Sequence, residues 1–553
     1  MREKYCENTK KTFASGVLSL SLSTLLVKVI GLIYKIPMLT YLGSEGMGYF
    51  NSAYEIYALF CVIATAGLPV ALSVLIAGAL AKGKAKSVRH IYYTSFSIFL
   101  LIGVLGSLIM VVFARRFCEM IKSENAYACI LSISPTVLLV CLSSALRGYF
   151  QGYQKMMPTA ISQVLESVGK LVFGLLLARF ALEKGYQTST VAAFAGLGLT
   201  IGTAFSLLYL FIEKLRFRPL EETPPSRLER IDRSGIWRDL ARLAIPMTLG
   251  ASVVSMTKLI DMTMILRRLQ TLGLDEIAAN QAYGSYTTLA LSIFGLIPAL
   301  VNAVALPLVP MLSSAIAIGD RERQIQIVKS SYRLTSLFAI PSALGISLFS
   351  RPILNMLFGN DPETVAIAAP LLSCLGISIF LSCMITATNS VLHAYRVVTR
   401  PIFAMLAGAI IKIISAYFLI GNPSVALLGA PISSFLCNAM VVLINIHLAS
   451  SLCLMKDLKS VFVKPALIST AAVGIAYFFY IMLAQAVGES AFLTLSSLFV
   501  AASLYLVFSC LFGGFCEADL LSLPKGDMLC GILQKLKLLP PKTSHQTNSI
   551  SFK

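Results

Sequence analysis

Charged residues are scarce in this sequence of 553 residues. Asp, Glu, Lys and Arg make up 13% of it, whereas hydrophobic residues make up 57%, and the mean hydropathy is +0.81. Water-soluble domains carry roughly 25% charged residues, so this composition excludes them. The four histidines are scattered, and the sequence contains neither an HExxH motif nor a GxxxxGK[ST] loop. We therefore predict no enzymatic activity, no catalytic residues, no metal site and no cofactor.

Long apolar stretches with short connections fill most of the chain. A membrane-spanning helix needs roughly 20 mostly apolar residues, and the sequence predicts an all-α polytopic protein with about fourteen such helices. The predicted helices cover residues 13–36, 48–80, 89–113, 125–150, 158–182, 188–213, 237–266, 277–312, 330–349, 364–393, 401–420, 424–452, 462–486 and 491–512.

Basic residues indicate how these helices are oriented. Most of the 45 Lys and Arg lie in the N-terminal tail, the even-numbered loops and the C-terminal tail, which predicts that both termini are cytoplasmic. The first apolar stretch continues into further spans, so we expect no cleaved leader. The net charge of +19 is spread over loops that flank helices. This distribution favours anionic membrane lipids, and not nucleic acid, as partners.

Two parts of the chain match each other at a fixed offset, which indicates an internal repeat. Helices one to six are predicted to recur as helices seven to twelve. Since each repeat has an even number of helices, the copies are parallel and related by a pseudo-twofold axis along the membrane normal. The positions that match at an offset of 229 are Ala53, Tyr54, Tyr57 and Pro69 with Ala282, Tyr283, Tyr286 and Pro298.

The repeat predicts five regions along the chain. An N-terminal six-helix lobe covers residues 1–213, and a Pro- and Arg-rich cytoplasmic linker covers 214–236. A C-terminal six-helix lobe covers 237–452, helices thirteen and fourteen cover 453–512, and a cytoplasmic tail covers 513–553.

Two prolines interrupt long predicted helices. Pro69 lies in the second and Pro298 in the eighth, where the missing N–H of proline predicts a kink or break. A lobe that moves between two states needs such points, so both prolines are predicted hinges.

Charged side chains inside predicted spans are the candidate functional residues. Such residues are costly in a bilayer and normally face the bundle interior or a water-filled cavity. The excess of cations favours an anionic substrate, because a diphosphate inside a protein needs several positive partners. The cations are Lys28, Lys35, Lys170, Lys258 and Lys412, and the anions are Glu55, Glu166 and Asp261.

Simpler interpretations of four of these residues rest on helix geometry. Glu166 and Lys170 are four residues apart and could neutralise each other, and Lys258 and Asp261, three apart, could do the same. Lys35 is predicted near a helix end, where its ammonium could extend to the interface.

The acidic residues also allow an alternative role in energy coupling. Asp261, Glu55 and Glu166 are candidates for binding a Na⁺ ion or a proton, which transport against a gradient would require.

Three stretches resemble a known family: KVIGLIYKIPMLTYLG near the N-terminus, RGYFQGYQKMMPTA (Arg147 to Ala160) and LIDMTMILRRLQTLG in the seventh helix. They are similar to polysaccharide biosynthesis proteins of the stage V sporulation protein B type. These belong to the multidrug, oligosaccharidyl-lipid and polysaccharide exporter superfamily, which includes the lipid II flippases.

The resemblance implies a two-lobed helical bundle, a central cationic cavity and a lipid-linked sugar whose tail stays in the bilayer. Lys28 falls where lipid II flippases place a cavity arginine in the first helix. The arginines that those flippases carry in helices two and eight have no counterpart, because Cys61, Val62, Tyr286 and Thr287 occupy that neighbourhood. This difference weakens lipid II as the specific cargo.

The sequence and the resemblance together predict a flippase in the bacterial cytoplasmic membrane. Its cargo would be an undecaprenyl-diphosphate-linked sugar, with lipid II as one candidate, for cell-wall, spore-cortex or surface-polysaccharide synthesis, and we expect a monomer. The alternative within the superfamily is cation-coupled efflux of drugs or toxins, which the cation excess disfavours. A glycosyltransferase would need a large outer loop, and the longest predicted one, residues 350–363, is expected to be a proline-containing turn.

Overall fold

The computed structural model describes residues 2–81, 85–217, 233–305, 308–359, 361–397, 399–452 and 458–512. Every regular element in these ranges is a helix. Short 3₁₀ turns cover Glu124–Ala126 and Ala426–Leu428, and a π-helical segment covers Tyr286–Ala290. The α-helices are α1 (Arg2–Thr65), α2 (Leu68–Ala81), α3 (Ala85–Val112), α4 (Ala114–Ile121), α5 (Tyr127–Gly152), α6 (Met157–Glu183), α7 (Thr188–Arg216), α8 (Arg233–Thr271), α9 (Glu276–Ser285), α10 (Leu291–Phe294), α11 (Leu296–Ala305), α12 (Leu308–Ile318), α13 (Arg321–Leu348), α14 (Ser350–Phe358), α15 (Pro362–Ala394), α16 (Thr399–Ile420), α17 (Gly429–Leu452), α18 (Leu458–Val487) and α19 (Ala491–Leu511).

Among the described residues, twelve helices are long and apolar enough to cross a membrane, or thirteen when the bent pair α13 and α14 counts as one span. These helices make the chain a multi-pass membrane protein. The expectation of a proline-containing turn at residues 350–363 is wrong in part, because α14 occupies Ser350–Phe358 and leaves α13 at an angle of 73°.

The first two predicted helices are joined without a loop. Helical structure continues from residue 2 to residue 65, and only Gly43 leaves the helical region, at φ 64° and ψ 176°. Residues with a Cβ rarely adopt this positive φ, whereas glycine does so readily. The connection that the sequence predicted between residues 36 and 48 is therefore a single glycine kink.

Helical structure is interrupted next to both predicted hinge prolines. Proline lacks the N–H that would bond the carbonyl four residues earlier. For Pro69 that carbonyl belongs to Thr65, the last residue of α1, and for Pro298 it belongs to Phe294, the last residue of α10. Breaks at these two positions are confirmed, while a hinge function for them stays a prediction.

The chain divides into two compact units. The first contains residues 1–293, 360–371 and 405–436, and the second contains residues 294–359, 372–404 and 437–553. These units group the chain by contact, so the predicted parallel repeat, the lobe boundaries and the cytoplasmic termini stay predictions.

The predicted linker and tail lie largely outside the described residues. At the start of the linker, α7 continues to Arg216, and α8 begins at Arg233. The structure describes neither residues 218–232 nor the predicted tail from residue 513 onward.

Each unit has its own apolar core. In the first, residues of α2, α3 and α5 pack around the fully buried Leu72, Phe99 and Phe150. In the second, residues of α13, α15 and α17 pack around the fully buried Tyr332 and Leu392.

Candidate functional site

All eight charged candidates lie in the first unit. Glu55 interacts electrostatically with Lys258, Lys35, Asp261 and Lys412. These partners come from α1, α8 and α16, so residues that are far apart in the sequence meet in one cluster. We call this set, the eight predicted residues together with Arg147, the charge cluster.

Lys412 on α16 forms an ion pair with Asp261 on α8. The distance from Lys412 Nζ to Asp261 Oδ2 is 3.0 Å, and both side chains are almost buried, with 13% and 11% exposed. The simpler interpretation that Asp261 pairs with Lys258 is therefore wrong: Lys258 is exposed, and the cross-helix partner takes the carboxylate. The second oxygen of this carboxylate, Oδ1, is buried and has no hydrogen-bond partner among the described residues.

Glu166 on α6 pairs with Arg147 on α5. Arg147 donates from a terminal nitrogen to Glu166 Oε2 at 2.7 Å and to Ser206 Oγ at 3.1 Å, while its Nε donates to Ser162 Oγ at 2.9 Å. The simpler interpretation that Glu166 pairs directly with Lys170 is therefore wrong. Sequence reasoning missed Arg147 because it lies near the end of its predicted span, although it opens the quoted RGYFQG motif.

Lys170 lies among aromatic rings instead. Its ammonium is 4.8 Å from the ring centre of Tyr54, 5.1 Å from that of Tyr34 and 5.4 Å from that of Phe50. Ring faces carry partial negative charge, so they stabilise a cation that has left water. Among the described residues, Lys170 therefore contacts ring faces and forms no salt bridge with a carboxylate.

Lys35 is held by the π-helical segment. Its ammonium donates to Ser292 Oγ at 2.7 Å and to the carbonyl oxygen of Thr287 at 3.3 Å. Asn51, also on α1, donates to Thr287 Oγ1 at 2.8 Å and to Thr288 Oγ1 at 2.9 Å. The expectation that Lys35 extends to the interface is wrong, since α1 continues beyond it and its ammonium bonds within the protein. Wide π turns often occur at functional sites, and this one supplies a carbonyl to a half-buried lysine.

Two lysines of the cluster are accessible. Lys28 on α1 and Lys258 on α8 are both exposed and lie close enough to repel each other electrostatically. Neither forms a salt bridge within the described parts of the chain. They therefore form the open side of the cluster, with Lys35, Lys170 and Glu55 deeper inside.

Close helix packing positions the cluster. A methyl group on Gly284 of α9 would lie 1.9 Å from the carbonyl oxygen of Ser44, and one on Gly48 would lie 2.2 Å from that of Asn280. Only glycine allows these backbones to approach so closely. This contact holds α1 beside the π-helical segment that binds Lys35.

Comparisons with known proteins agree with this fold. The family described as "Polysaccharide biosynthesis protein" matches residues 13–316, more than half of the 553 residues, and the MatE family matches residues 246–418. Among solved structures, the lipid II flippase MurJ in an inward closed conformation aligns with a TM-score of 0.69 at 16% identity, covering 89% of this chain and 98% of that one. A multidrug resistance MATE family transporter in an inward-facing conformation aligns with a TM-score of 0.61 at 14% identity, covering 79% and 98%.

These matches define a multi-pass membrane protein with the fold of the multidrug, oligosaccharidyl-lipid and polysaccharide exporter superfamily. The chain belongs to the polysaccharide biosynthesis protein family within it. Stage V sporulation protein B of Bacillus subtilis (strain 168) is 25% identical over 447 residues, which cover 80% of this chain and 84% of that protein. Lipid II flippase MurJ of the same organism is 25% identical over 414 residues, covering 72% and 76%.

Proposed function

We propose that this protein is a flippase that moves an undecaprenyl-diphosphate-linked sugar precursor across the bacterial cytoplasmic membrane by alternating access. The family membership and the likeness to a protein named lipid II flippase support transport of a lipid-linked precursor. The charge cluster of the first unit carries the proposal for this chain, because its chemistry suits a diphosphate.

The charges of the cluster do not cancel. Arg147 is matched by Glu166 and Lys412 by Asp261, each through a short ion pair. The remaining members are Lys28, Lys35, Lys170 and Lys258 against Glu55 alone. Several uncompensated ammonium groups on neighbouring helices are costly unless an anion joins them. A diphosphate supplies this anion, and lysine contacts it as a compact point charge on a flexible stem.

In this proposal the accessible lysines bind the substrate first. Lys28 and Lys258 contact the diphosphate when it enters, and Lys35 and Lys170 stabilise it further inside. Glu55 is the preferred candidate for coupling to Na⁺ or a proton, because its Oε2 is buried and has no partner among the described residues. Glu166 is a weaker candidate, since Arg147 already occupies its Oε2.

The proposed topology has fourteen spans with both termini in the cytoplasm. One apolar segment, Leu22–Ala81, has 60 residues, and a helix of that length would extend about 90 Å, three times the hydrocarbon thickness. Gly43 redirects it, so we assign two crossings to this segment. With the bent pair α13 and α14 as one more span, the proposal reaches fourteen.

A reconstitution experiment tests the function. Liposomes carry labelled lipid II or, separately, an undecaprenyl-diphosphate sugar unrelated to peptidoglycan, and translocation is followed for wild type, Lys28→Ala and Lys28→Arg. We expect at least one lipid to move, the alanine variant to be about tenfold slower, and the arginine variant to keep most of the rate because the charge remains. Lys184→Ala, which removes an exposed lysine at the end of α6, is the matched control and should behave as wild type.

One outcome of this experiment would contradict the flippase proposal. If neither lipid moves while the same vesicles exchange organic cations against Na⁺ or H⁺, the protein is an efflux transporter and the flippase proposal is wrong.

A further inference from the structure

The second unit contains a pocket that the proposed function does not use. It lies where α13 turns into α14, beside the C-terminal end of α18, and its volume is about 530 Å³. This volume is within the range of roughly 300–1,000 Å³ that small-molecule sites occupy. The two helices α13 and α14 meet beside it at an angle of 73°.

Two tyrosines form one wall of this pocket. Tyr477 and Tyr480 are one turn apart on α18, and their rings are nearly parallel, at 12° with 6.3 Å between centres. Behind them the fully buried Phe349 packs edge-on against both rings, at 5.1 Å and 5.5 Å. Aromatic contacts of this kind fix ring orientation, so the wall is rigid before any ligand binds.

Serines also line the pocket. Ser347 Oγ donates to the carbonyl of Ser373 at 2.9 Å, and Ser373 Oγ donates to the carbonyl of Ser347 at 2.8 Å. A methyl group on Gly376 would lie 2.2 Å from Ser347 Oγ, so glycine is required for this approach of α15 to α13. The reciprocal bonds hold the two helices at a fixed distance across the pocket.

Hydrogen-bond donors and hydrogen-bond acceptors both lie around the opening of the pocket. Arg351, Gln485 and Glu489 line it and are exposed, and Asn355 donates to Glu489 Oε2 at 2.9 Å. One guanidinium and one carboxylate leave the lining without net charge, in contrast to the charge cluster.

This combination excludes two classes of ligand. A diphosphate would meet a carboxylate and a single cation, and burying it there would cost more than the one cation returns. A hydrocarbon chain would displace water from the exposed guanidinium, amide and carboxylate groups without offering them hydrogen bonds in return. A carbohydrate fits, because its C–H faces stack on flat rings while its hydroxyls exchange hydrogen bonds with amide, carboxylate and guanidinium groups.

We infer that this pocket is a carbohydrate-binding site for a short saccharide, with Tyr477 as the stacking platform and Arg351, Gln485 and Glu489 as hydrogen-bonding partners. In the proposed topology it opens on the extracytoplasmic side, where a sugar headgroup arrives after translocation. The location and the biological source of the sugar rest on the proposed function, whereas binding of a free sugar does not.

The test uses the full chain, purified in detergent, with soluble probes. Saturation-transfer NMR and calorimetric titration measure binding of N-acetylglucosamine, its β-1,4-linked dimer and its hexamer, with inorganic pyrophosphate as a competitor. The variants are Tyr477→Ala, Tyr477→Phe and Glu489→Gln. Tyr186→Ala is the control, because Tyr186 is likewise stacked on another ring, that of Phe194, and lies in the first unit, away from the pocket. Size-exclusion profiles and thermal unfolding verify that each variant is folded.

The expected result is that sugar binds to wild type, Tyr477→Phe and Tyr186→Ala alike. Binding should weaken about tenfold in Tyr477→Ala and severalfold in Glu489→Gln, and pyrophosphate should not compete. Equal affinity for dimer and hexamer would identify a headgroup-sized ligand, and rising affinity with length would identify a glycan strand.

Three results would overturn the inference: no sugar binding at all, binding unchanged in folded Tyr477→Ala and Glu489→Gln, or displacement by pyrophosphate. Lipid translocation measured on the same preparations keeps the two proposals apart. Lipid translocation without sugar binding would refute only the proposed carbohydrate site. Sugar binding at Tyr477 without lipid translocation would refute only the proposed flippase function.

Discussion

The charge cluster of the first unit and the pocket of the second unit differ in the net charge and the burial of their polar groups. In the cluster, full charges lie inside membrane-spanning helices, and ion pairs, ring faces and backbone carbonyls offset only part of their lost hydration. In the pocket, the polar groups are mostly neutral or balanced, and the charged ones remain exposed. A site with surplus charge selects an anion, whereas a balanced site beside flat rings selects a ligand by shape and hydrogen bonding.

The largest expected effect tests whether the ion pairs of the cluster are structural. Asp261→Ala leaves the Lys412 ammonium nearly buried and unpaired, which should destabilise the protein by about 3–5 kcal/mol. Thermal unfolding in detergent measures this change. The double variant Asp261→Ala with Lys412→Met removes both charges and should recover most of the loss.

The matched control for this pair is Arg179→Ala. Arg179 and Glu183 form an even shorter ion pair, at 2.7 Å against 3.0 Å, but both side chains are more than 60% exposed. Water screens such a pair, so we expect no measurable change in the unfolding temperature. If Asp261→Ala also left it unchanged, the cluster would be hydrated and the contrast with the pocket would fail.

A prediction of intermediate size concerns two glycine-to-alanine variants, one beside each site, and their effects on stability. Gly284→Ala places a methyl group against the Ser44 carbonyl beside the cluster and should destabilise the protein by about 1–3 kcal/mol. Gly345→Ala lies on α13 two residues before Ser347 of the pocket, with nothing within 4 Å of the added methyl. Alanine is a better helix former, so this change should stabilise by about 0.5–1 kcal/mol. Thermal unfolding of both variants would reveal effects of opposite sign, and equal effects would contradict the described packing.

The smallest expected effect separates the ligands of the two sites by their response to salt. Raising NaCl from roughly 0.05 M to roughly 0.5 M shortens the screening length several-fold. Competition of inorganic pyrophosphate with lipid transport should weaken severalfold, because accessible Lys28 and Lys258 attract it through solvent. Sugar binding at the pocket should stay constant, since its lining has no net charge. Inhibition curves and calorimetric titrations at both salt concentrations measure these responses, and a salt-sensitive sugar affinity would remove the distinction.

Sequence reasoning succeeded where the signal is local. The composition predicted a membrane protein. Pro69 and Pro298 predicted a kink or break in their helices, which the structure has after Thr65 and Phe294, because a missing N–H acts within its own helix. The candidate charges were found for a similar reason, since a lysine in an apolar run is visible without knowing its neighbours.

The ion-pair partners of these charges could not be predicted from the sequence. Spacing along one helix offered Lys170 as a partner for Glu166 and Lys258 as a partner for Asp261, yet the actual partners are Arg147 and Lys412 on other helices. The rotation of one helix against another depends on close contacts such as Gly284 against Ser44, and no single stretch of sequence encodes it.

The sequence by itself determined that this protein crosses a membrane many times, where its helices break and which charges they carry into the bilayer. These properties depend on residue type and on neighbours within about one helical turn. Tertiary structure alone decided that these charges form one cluster, that Lys170 is held by rings and Lys35 by a π turn, and that Tyr477, Ser373 and Arg351 line one pocket. Those arrangements require groups distant along the chain to meet, and only the packing of whole helices brings them together.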